Sequence, residues 1–455
     1  MRHHLVKLAL CVFVGACGDN IGSGDDGPTE PTFCDLNPGV FEDPNACEAD
    51  GTCPAAGDVK LRVEPSQTLA TAIDDNPEII KMIPNTPNRA VWISTVAKRF
   101  SLVEYSTENT FEVTGQFTVP IQAPLGTGEA AFTSAVDVHP SGKFIAVAVT
   151  RTKAEPATCI KGTVSFIDIA DDVGALLKEV TVGFYPDSLD FSPDGNWLVT
   201  VNEDDSEDPC KVGSGRIGGS VSIVELPDGD PTAAAVVQEI DVRHSADPPS
   251  EPENLRIASD SNTVIFTIQE SSEIGIFKLE DVPAATATIV HLPGSEEEPD
   301  GVAITDDVAF AFVVAEKTDS FSTLDLSNNT WVQTYKIVDH GDVPADYAKD
   351  TRKTTKIHEP QEVELFRQQG NLFALIGLQE SHSIVAYDIS DPAAPEFNSI
   401  APAGEDWESE ANSLIGSEIG PEGITANSNT GIFFSANERE GTVTMYRTAF
   451  AHKCP

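Results

Sequence analysis

"EPENLRIASDSNTVIFTIQESSEIGIF", residues 251–277, and "GPEGITANSNTGIFFSANEREGTVTMY", residues 420–446, follow one plan. Each opens with a proline and an acid, runs through an apolar strand, a polar turn and a second apolar strand closed by a glutamate, and then begins a third strand. The plan recurs in "YPDSLDFSPDGNWLVTVNE" (185–203), "EPDGVAITDDVAFAFVVAE" (298–316) and "EPQEVELFRQQGNLFALIGLQE" (359–380). Two upstream copies, "EIIKMIPNTPNRAVWISTV" (78–96) and "SAVDVHPSGKFIAVAVTR" (134–151), read as lacking the proline-acid start, which brings the total to seven. Short alternating strands joined by polar turns and repeated at roughly 45–70 residues are the mark of propeller blades, each a hairpin pair that cannot bury its faces alone. The last copy has three strands before the chain ends. "DVKLRV", residues 58–63, is therefore expected to supply its fourth and to close the ring, leaving no edge unpaired. The fold expected is all-β, a seven-bladed β-propeller closed by an N-terminal strand.

The wheel also decides where its acids point. In an antiparallel hairpin the start of the first strand lies beside the end of the second. The opening acid and the closing glutamate of a copy therefore share one face of the disc near its axis. The pairs are Asp187 with Glu203, Glu253 with Glu270, Asp300 with Glu316 and Glu422 with Glu438; the copy around Pro360 departs, with Gln361 at the acid position and Glu359, Glu362 and Glu380 nearby. Clustered carboxylates repel unless a proton or a cation relieves them, so a hard, oxygen-liganded ion such as Ca²⁺ can sit at this mouth. Alternatively each acid accepts backbone N–H groups of its own turn or of the next blade and pins blade to blade. Repetition in nearly every blade favours fastening, because a binding site normally breaks symmetry.

The chain has 455 residues and a formal net charge of −45, which disfavours nucleic acid and polyphosphate as partners. "MRHHLVKLALCVFVGAC" has a basic start, an apolar stretch too short for a permanent span and small residues before Cys17. It resembles a lipoprotein signal cut after residue 16, with lipid on Cys17 anchoring the chain to a membrane of the bacterial envelope, periplasmic or at the surface. An acidic tether with a small cysteine knot follows over residues 17–57, and the propeller over 58–455. With Cys11 in the signal and Cys17 lipidated, Cys34, Cys47, Cys53, Cys159, Cys210 and Cys454 form an even set suited to disulfides. Cys159 and Cys210 fall in adjacent loops and are expected to bridge; Cys454 is expected near the knot.

The run 251–279 with "EPDGVAI" and 420–446 resembles the choice-of-anchor I propeller family, which includes mesenchyme-specific cell-surface glycoprotein-like proteins. The likeness runs from about Val59 to Tyr446 and rests on blade-framework motifs. It implies an extracellular propeller with varied anchors and no catalytic residues to carry over. "FSPDGNWLVTVNE" is also similar to lactonase-like propellers, and calcium-dependent phytases share acid-lined mouths; fold alone does not choose a chemistry.

A Ca²⁺-dependent hydrolase of phosphoesters or lactones is the competing reading. It needs bases to hold the substrate's charge, and the chain has 28 Lys plus Arg, with Arg151, Arg256, Lys317, His358 and Arg439 the candidates near the axis. His139 reads as a solvent-facing turn histidine. "GSGRIG" (213–218) matches a dinucleotide fingerprint but leads into a strand, so it offers no helix N-terminus to a pyrophosphate. The acidic inserts 338–360 and 405–420 are the asymmetric features suited to a protein partner. The reading that results is a monomeric, lipid-anchored ligand- or protein-binding scaffold with Ca²⁺ at its acid mouth.

Overall fold

In the computed structural model the described residues are 41–42 and 59–453, apart from 72–75, 87, 107–109, 123–124, 154–159, 172, 204–210, 213–214, 217–218, 243–249, 295–296, 338–357, 404–419 and 439. The lipidation site Cys17 and the six cysteines expected to pair lie outside them, as does Arg439. Among the described residues there are seven antiparallel blades of four strands, the last extended by the short strand Phe41–Glu42 beside Lys453 and His452, and no α-helix. Blade 1 is built from Pro77–Met82, Arg89–Ser94, Arg99–Tyr105 and Phe111–Thr118. Blades 2 to 6 follow in chain order, with innermost strands Glu129–Val138, Pro186–Phe191, Leu255–Ile257, Pro299–Ile304 and Pro360–Gln368.

Blade 7 takes Pro421–Asn427, Ile432–Asn437 and Thr442–Lys453 from the C-terminal end, and Val59–Ala70 from the N-terminal end as its fourth strand. The closing ladder runs from Val59 opposite His452 to Ala70 opposite Thr442, longer than the hexapeptide that sequence patterning singles out. Each innermost strand packs on that of the next blade, and the last packs on the first, so the ring is complete.

The burial pattern follows from the layering. Second and third strands are covered on both faces and read as continuous apolar runs, as in Thr263–Ile268. Fourth strands face solvent on one side and alternate, as in Phe111–Thr118. Buried apolar residues fall into seven clusters among the described residues, one in each blade interface. Trp92 and Phe434 sit between blades 1 and 7, and Phe312 and Tyr387 between blades 5 and 6. No common hub holds the disc; cohesion comes from seven separate flat cores.

His139 corrects the sequence reading. It is 7% exposed, stacks on Phe144 at 4.2 Å and meets Phe191 edge-on, while its Nε2 lies 3.1 Å from the Gly195 carbonyl of blade 3. Burial lowers its pKa, so it works as a neutral wedge between blades 2 and 3. Gly215–Arg216, read from sequence as loop, pairs with Lys211–Val212 as a short hairpin, and the chain then leads into the strand Ser220–Glu225 as expected.

Candidate functional site

One hydrogen bond sets the geometry of the mouth. In six blades the residue that closes the second strand donates its N–H to the carbonyl of the residue just before the opening proline or, in blade 1, of Asn76 before Pro77. The bonds are Thr95 to Asn76 (3.2 Å), Glu203 to Tyr185 (2.7 Å), Gln269 to Glu251 (2.8 Å), Glu316 to Glu298 (3.0 Å), Gln379 to Glu359 (2.9 Å) and Glu438 to Gly420 (3.1 Å). The opening residue, one after the proline, is thereby held beside the closing one. Tyr185, Glu298 and Glu359 take positive φ of 50°, 50° and 48° to make this corner, a conformation that costs a non-glycine residue on the order of 1–3 kcal/mol.

Directly after the proline the innermost strand bulges. The register shifts at Pro77/Ile80, Pro186/Ser188, Pro299/Val302, Pro360/Val363 and Pro421/Gly423, and blade 2 does the same at Thr133/Val136. A bulge puts two successive side chains on one side of a strand. The opening residue and its successor therefore both face the axis.

These residues line a cavity of about 460 Å³ in the centre of the disc. Asp187, Glu203, Glu253, Asp300, Glu316 and Glu422 of the expected set are in its wall, with Gln361, Gln379 and Gln269, whereas Glu270 and Glu438 are not. Two corrections apply. Glu270 is one residue past the closing position, which Gln269 holds, because the turn begins one residue earlier than the acid suggests. Blade 1 does open with a proline-acid pair, Pro77-Glu78, one residue ahead of the copy read from Glu78, and Glu78 lines the cavity. Blades 6 and 2 lack the acid: Gln361 takes the place in blade 6, and in blade 2 Ser134 does so and donates to the Pro186 carbonyl.

Burial, then neighbouring negative charge, pushes three of these carboxyls well above the usual range. Glu78 feels Glu438, Asp187 and Glu422; Glu253 feels Glu203 and Asp187; Asp300 feels Glu316 and Glu422. The Glu78 Oε2 atom is shut off from solvent without a hydrogen-bond partner. An oxygen from each of Asp187, Glu203 and Glu253 lies within 4.8 Å of the other two, a spacing that suits a hard cation whose oxygens sit at about 2.3–2.6 Å.

Below the mouth runs a second tier that sequence reading missed, three residues farther along each strand. The Asp137 carboxylate accepts the Phe191 N–H of the next blade (2.9 Å), and Asp190 accepts that of Ile257 (2.6 Å). Glu364 accepts from Ala426 (3.3 Å), and the Thr425 hydroxyl from Met82 (3.2 Å). Blade-to-blade fastening by acids that accept backbone N–H groups is thus present in this tier. In the same tier Lys81 and Arg256 line the floor of the cavity, and Arg256 reaches across to Glu362 of blade 6 at 2.8 Å. Burial opposes the Arg256 charge, yet Glu362 and Asp190 hold its pKa up.

Of the other bases expected near the axis, three are engaged elsewhere. Arg151 pairs with Glu129 at 3.0 Å, Lys317 with Glu298 at 3.0 Å, and the buried His358 ring with the Ser381 hydroxyl.

A family model described as the choice-of-anchor I domain matches residues 84–343. No curated protein matches the chain. Among solved structures, hydrazine synthase of Kuenenia stuttgartiensis is similar with a TM-score of 0.55 at 15% identity, covering 83% of this chain and 97% of its own. A catalytically inactive virginiamycin B lyase from Staphylococcus aureus with quinupristin gives 0.54 at 13% identity, covering 85% and 99%. A streptogramin B lyase gives 0.52 at 12%, covering 86% and 98%. At these identities the likeness is one of fold.

Proposed function

The chain belongs to the choice-of-anchor I family, and on that premise we propose that it is a cell-envelope lipoprotein whose propeller is a ligand- or protein-binding scaffold carrying Ca²⁺ at the acid mouth. The observation that carries the cation is the Asp187, Glu203 and Glu253 group, three carboxylates from two blades with oxygens within 4.8 Å of one another. Such a set is costly without a counter-charge, and carboxylate oxygens suit a hard ion in preference to one that seeks nitrogen or sulfur. Gln361 and Gln379, wall residues that donate to Glu316 and Glu422, would orient neighbouring carboxylates in the manner of outer-shell ligands.

The hydrolase reading is weaker. Phosphoester chemistry requires cationic side chains aimed at the substrate. Arg151, Arg256 and Lys317 are each committed to a glutamate.

The test is a thermal melt of the metal-stripped protein in EDTA and across a Ca²⁺ titration. A ligand that binds only the folded state raises stability by about 2.7 kcal/mol at one hundred times its Kd, so a saturating upward shift is expected. No shift through the millimolar range removes the cation from this reading and leaves a metal-free scaffold.

A further inference from the structure

We infer that the central cavity receives a small zwitterion of the ω-amino-acid class, its carboxylate on Lys81 of blade 1 and its primary ammonium group in the carboxyl tier at Asp300 of blade 5. The inference rests on the ligand-binding part of the reading above and not on its cation.

The cavity is larger than an ion needs. An ion with the waters that complete its shell fills on the order of 200 Å³ at about 30 Å³ per water, whereas about 460 Å³ is open here, within the range of small-molecule sites. Carboxyls dominate the wall, so a purely anionic molecule is repelled and a positive group is drawn in. Among the described residues no aromatic ring lines the cavity, which removes the cage that a quaternary ammonium needs. A cation here is held by donating N–H groups to oxygens, as a primary amine does. Asp300 is in the wall, its side chain makes no hydrogen bond or ion pair, and Glu316 and Glu422 add their negative charge beside it.

The floor supplies the opposite sign. Of the lower tier, Asp137, Asp190 and Glu364 each accept a backbone N–H of another blade, and Arg256 is taken by Glu362. Lys81 lines the same cavity and makes no hydrogen bond or ion pair. Its charged neighbours are Asp190 and Glu364, carboxyls whose pKa burial raises, so they offset less of its charge than ordinary carboxylates would. Three ammonium hydrogens without a protein acceptor call for one from outside, and a carboxylate is the acceptor that also matches the charge. Lys81 stands three residues along its strand from the opening position, on the order of 10 Å at about 3.3 Å per residue. The two charges of the ligand are therefore several bonds apart, unlike an α-amino group beside its own carboxylate.

The experiment is a calorimetric titration of the metal-stripped full-length chain in EDTA with ε-aminocaproate, against caproate, hexylamine and the N-trimethyl form of ε-aminocaproate. One ε-aminocaproate per chain is expected and no caproate, while hexylamine and the trimethyl form should each bind about tenfold more weakly, the worth of one charge-assisted contact. Lys81→Met should bring ε-aminocaproate down to the hexylamine level without weakening hexylamine, Lys81→Arg should keep the preference, and Asp300→Asn should weaken both amines. Melts without ligand check that each variant folds. Equal binding of ε-aminocaproate and hexylamine by the wild type, a result that needs no variant, overturns the inference; so does binding of neither, or indifference to Lys81→Met. A parallel Ca²⁺ titration separates the two readings. Uptake of Ca²⁺ without ε-aminocaproate leaves the cation standing and overturns the zwitterion, and the reverse result supports the zwitterion and removes the cation.

Discussion

Asp187 and Asp190 stand three residues apart on one strand, carry the same functional group and face the same axis. Asp190 spends its carboxyl on the Ile257 N–H of the neighbouring blade. Asp187 stands with Glu203 and Glu253, one oxygen of each within 4.8 Å of the others. The difference is their place relative to the bulge. Residues in the upper tier lie at the rim of the hairpin, where the corner before the proline opens the strands. Those in the lower tier lie within the ladder, where the next blade's backbone is in reach. Identical chemistry therefore becomes a candidate site above and a fastener below.

The largest effect that separates the tiers should come from Arg256→Met. It strands Glu362, whose side chain is 4% exposed beside the 15% exposed Arg256, and breaking such a buried pair costs about 3–5 kcal/mol. Denaturant unfolding in EDTA measures the loss, and a loss below about 1 kcal/mol would mean the floor of the cavity is wet and the tiers are not distinct.

Next is Asp190→Ala, which leaves the Ile257 N–H unpaired at a cost of about 1–3 kcal/mol. Asp190→Asn keeps an acceptor and should cost less. It also sharpens the contrast through pH. Burial first and Asp137 second raise the Asp190 pKa to about 8, against the pull of Arg256 and Lys81. Between its ordinary value of 3.8 and about 8 the folded chain thus holds a proton that the unfolded chain has lost. Unfolding releases it, so this contribution is lost as pH rises through that window. Melts of the wild type in EDTA should fall between pH 6 and 8, and Asp190→Asn should fall less steeply.

Gln361→Glu acts on the upper tier alone. It sets a third acid beside Asp300 and Glu316, as Asp187, Glu203 and Glu253 stand, so calorimetry should count one more Ca²⁺ than in the wild type, with a stability loss in EDTA of about 1–3 kcal/mol because the buried Glu316 loses the Gln361 N–H. A variant that binds no additional ion would show that three acids in these places are not sufficient. The smallest effect is expected at the rim, where Lys161 and Glu239 pair at 2.8 Å with side chains 43% and 37% exposed. Lys161→Ala should change stability by less than about 0.5 kcal/mol, measured alongside Arg256→Met as its solvent-screened counterpart.

The propeller was legible because its signal is repeated. Seven copies of the hairpin plan, and a last copy one strand short, lead to the ring and to residues 58–63 as its closure, the first half of the strand observed from Val59. Most of the upper tier followed from hairpin geometry. The errors there were single-residue ones, Glu270 for Gln269 and a blade 1 copy begun after Pro77, since a turn's start is not marked by which residue carries charge. The lower tier was invisible for a physical reason. In a regular strand, side chains three apart point to opposite faces, so Asp190 should have faced away from Asp187's side. The bulge between Pro186 and Ser188 resets that parity, and nothing in "PDSLDF" announces it.

The ladder between Val59–Ala70 and Thr442–Lys453 has a temporal consequence. The first strand of the propeller to leave the ribosome is the last to find its partner, which is made only when nearly the whole chain exists. Until then blade 7 has no fourth strand, and both ends of an open ring present unpaired backbone. Contacts so remote in sequence form slowly. The nascent chain therefore passes through a long interval in which six blades can assemble and the ring cannot lock. A truncation of even the final strand would leave every blade but one intact in sequence and the wheel permanently ajar.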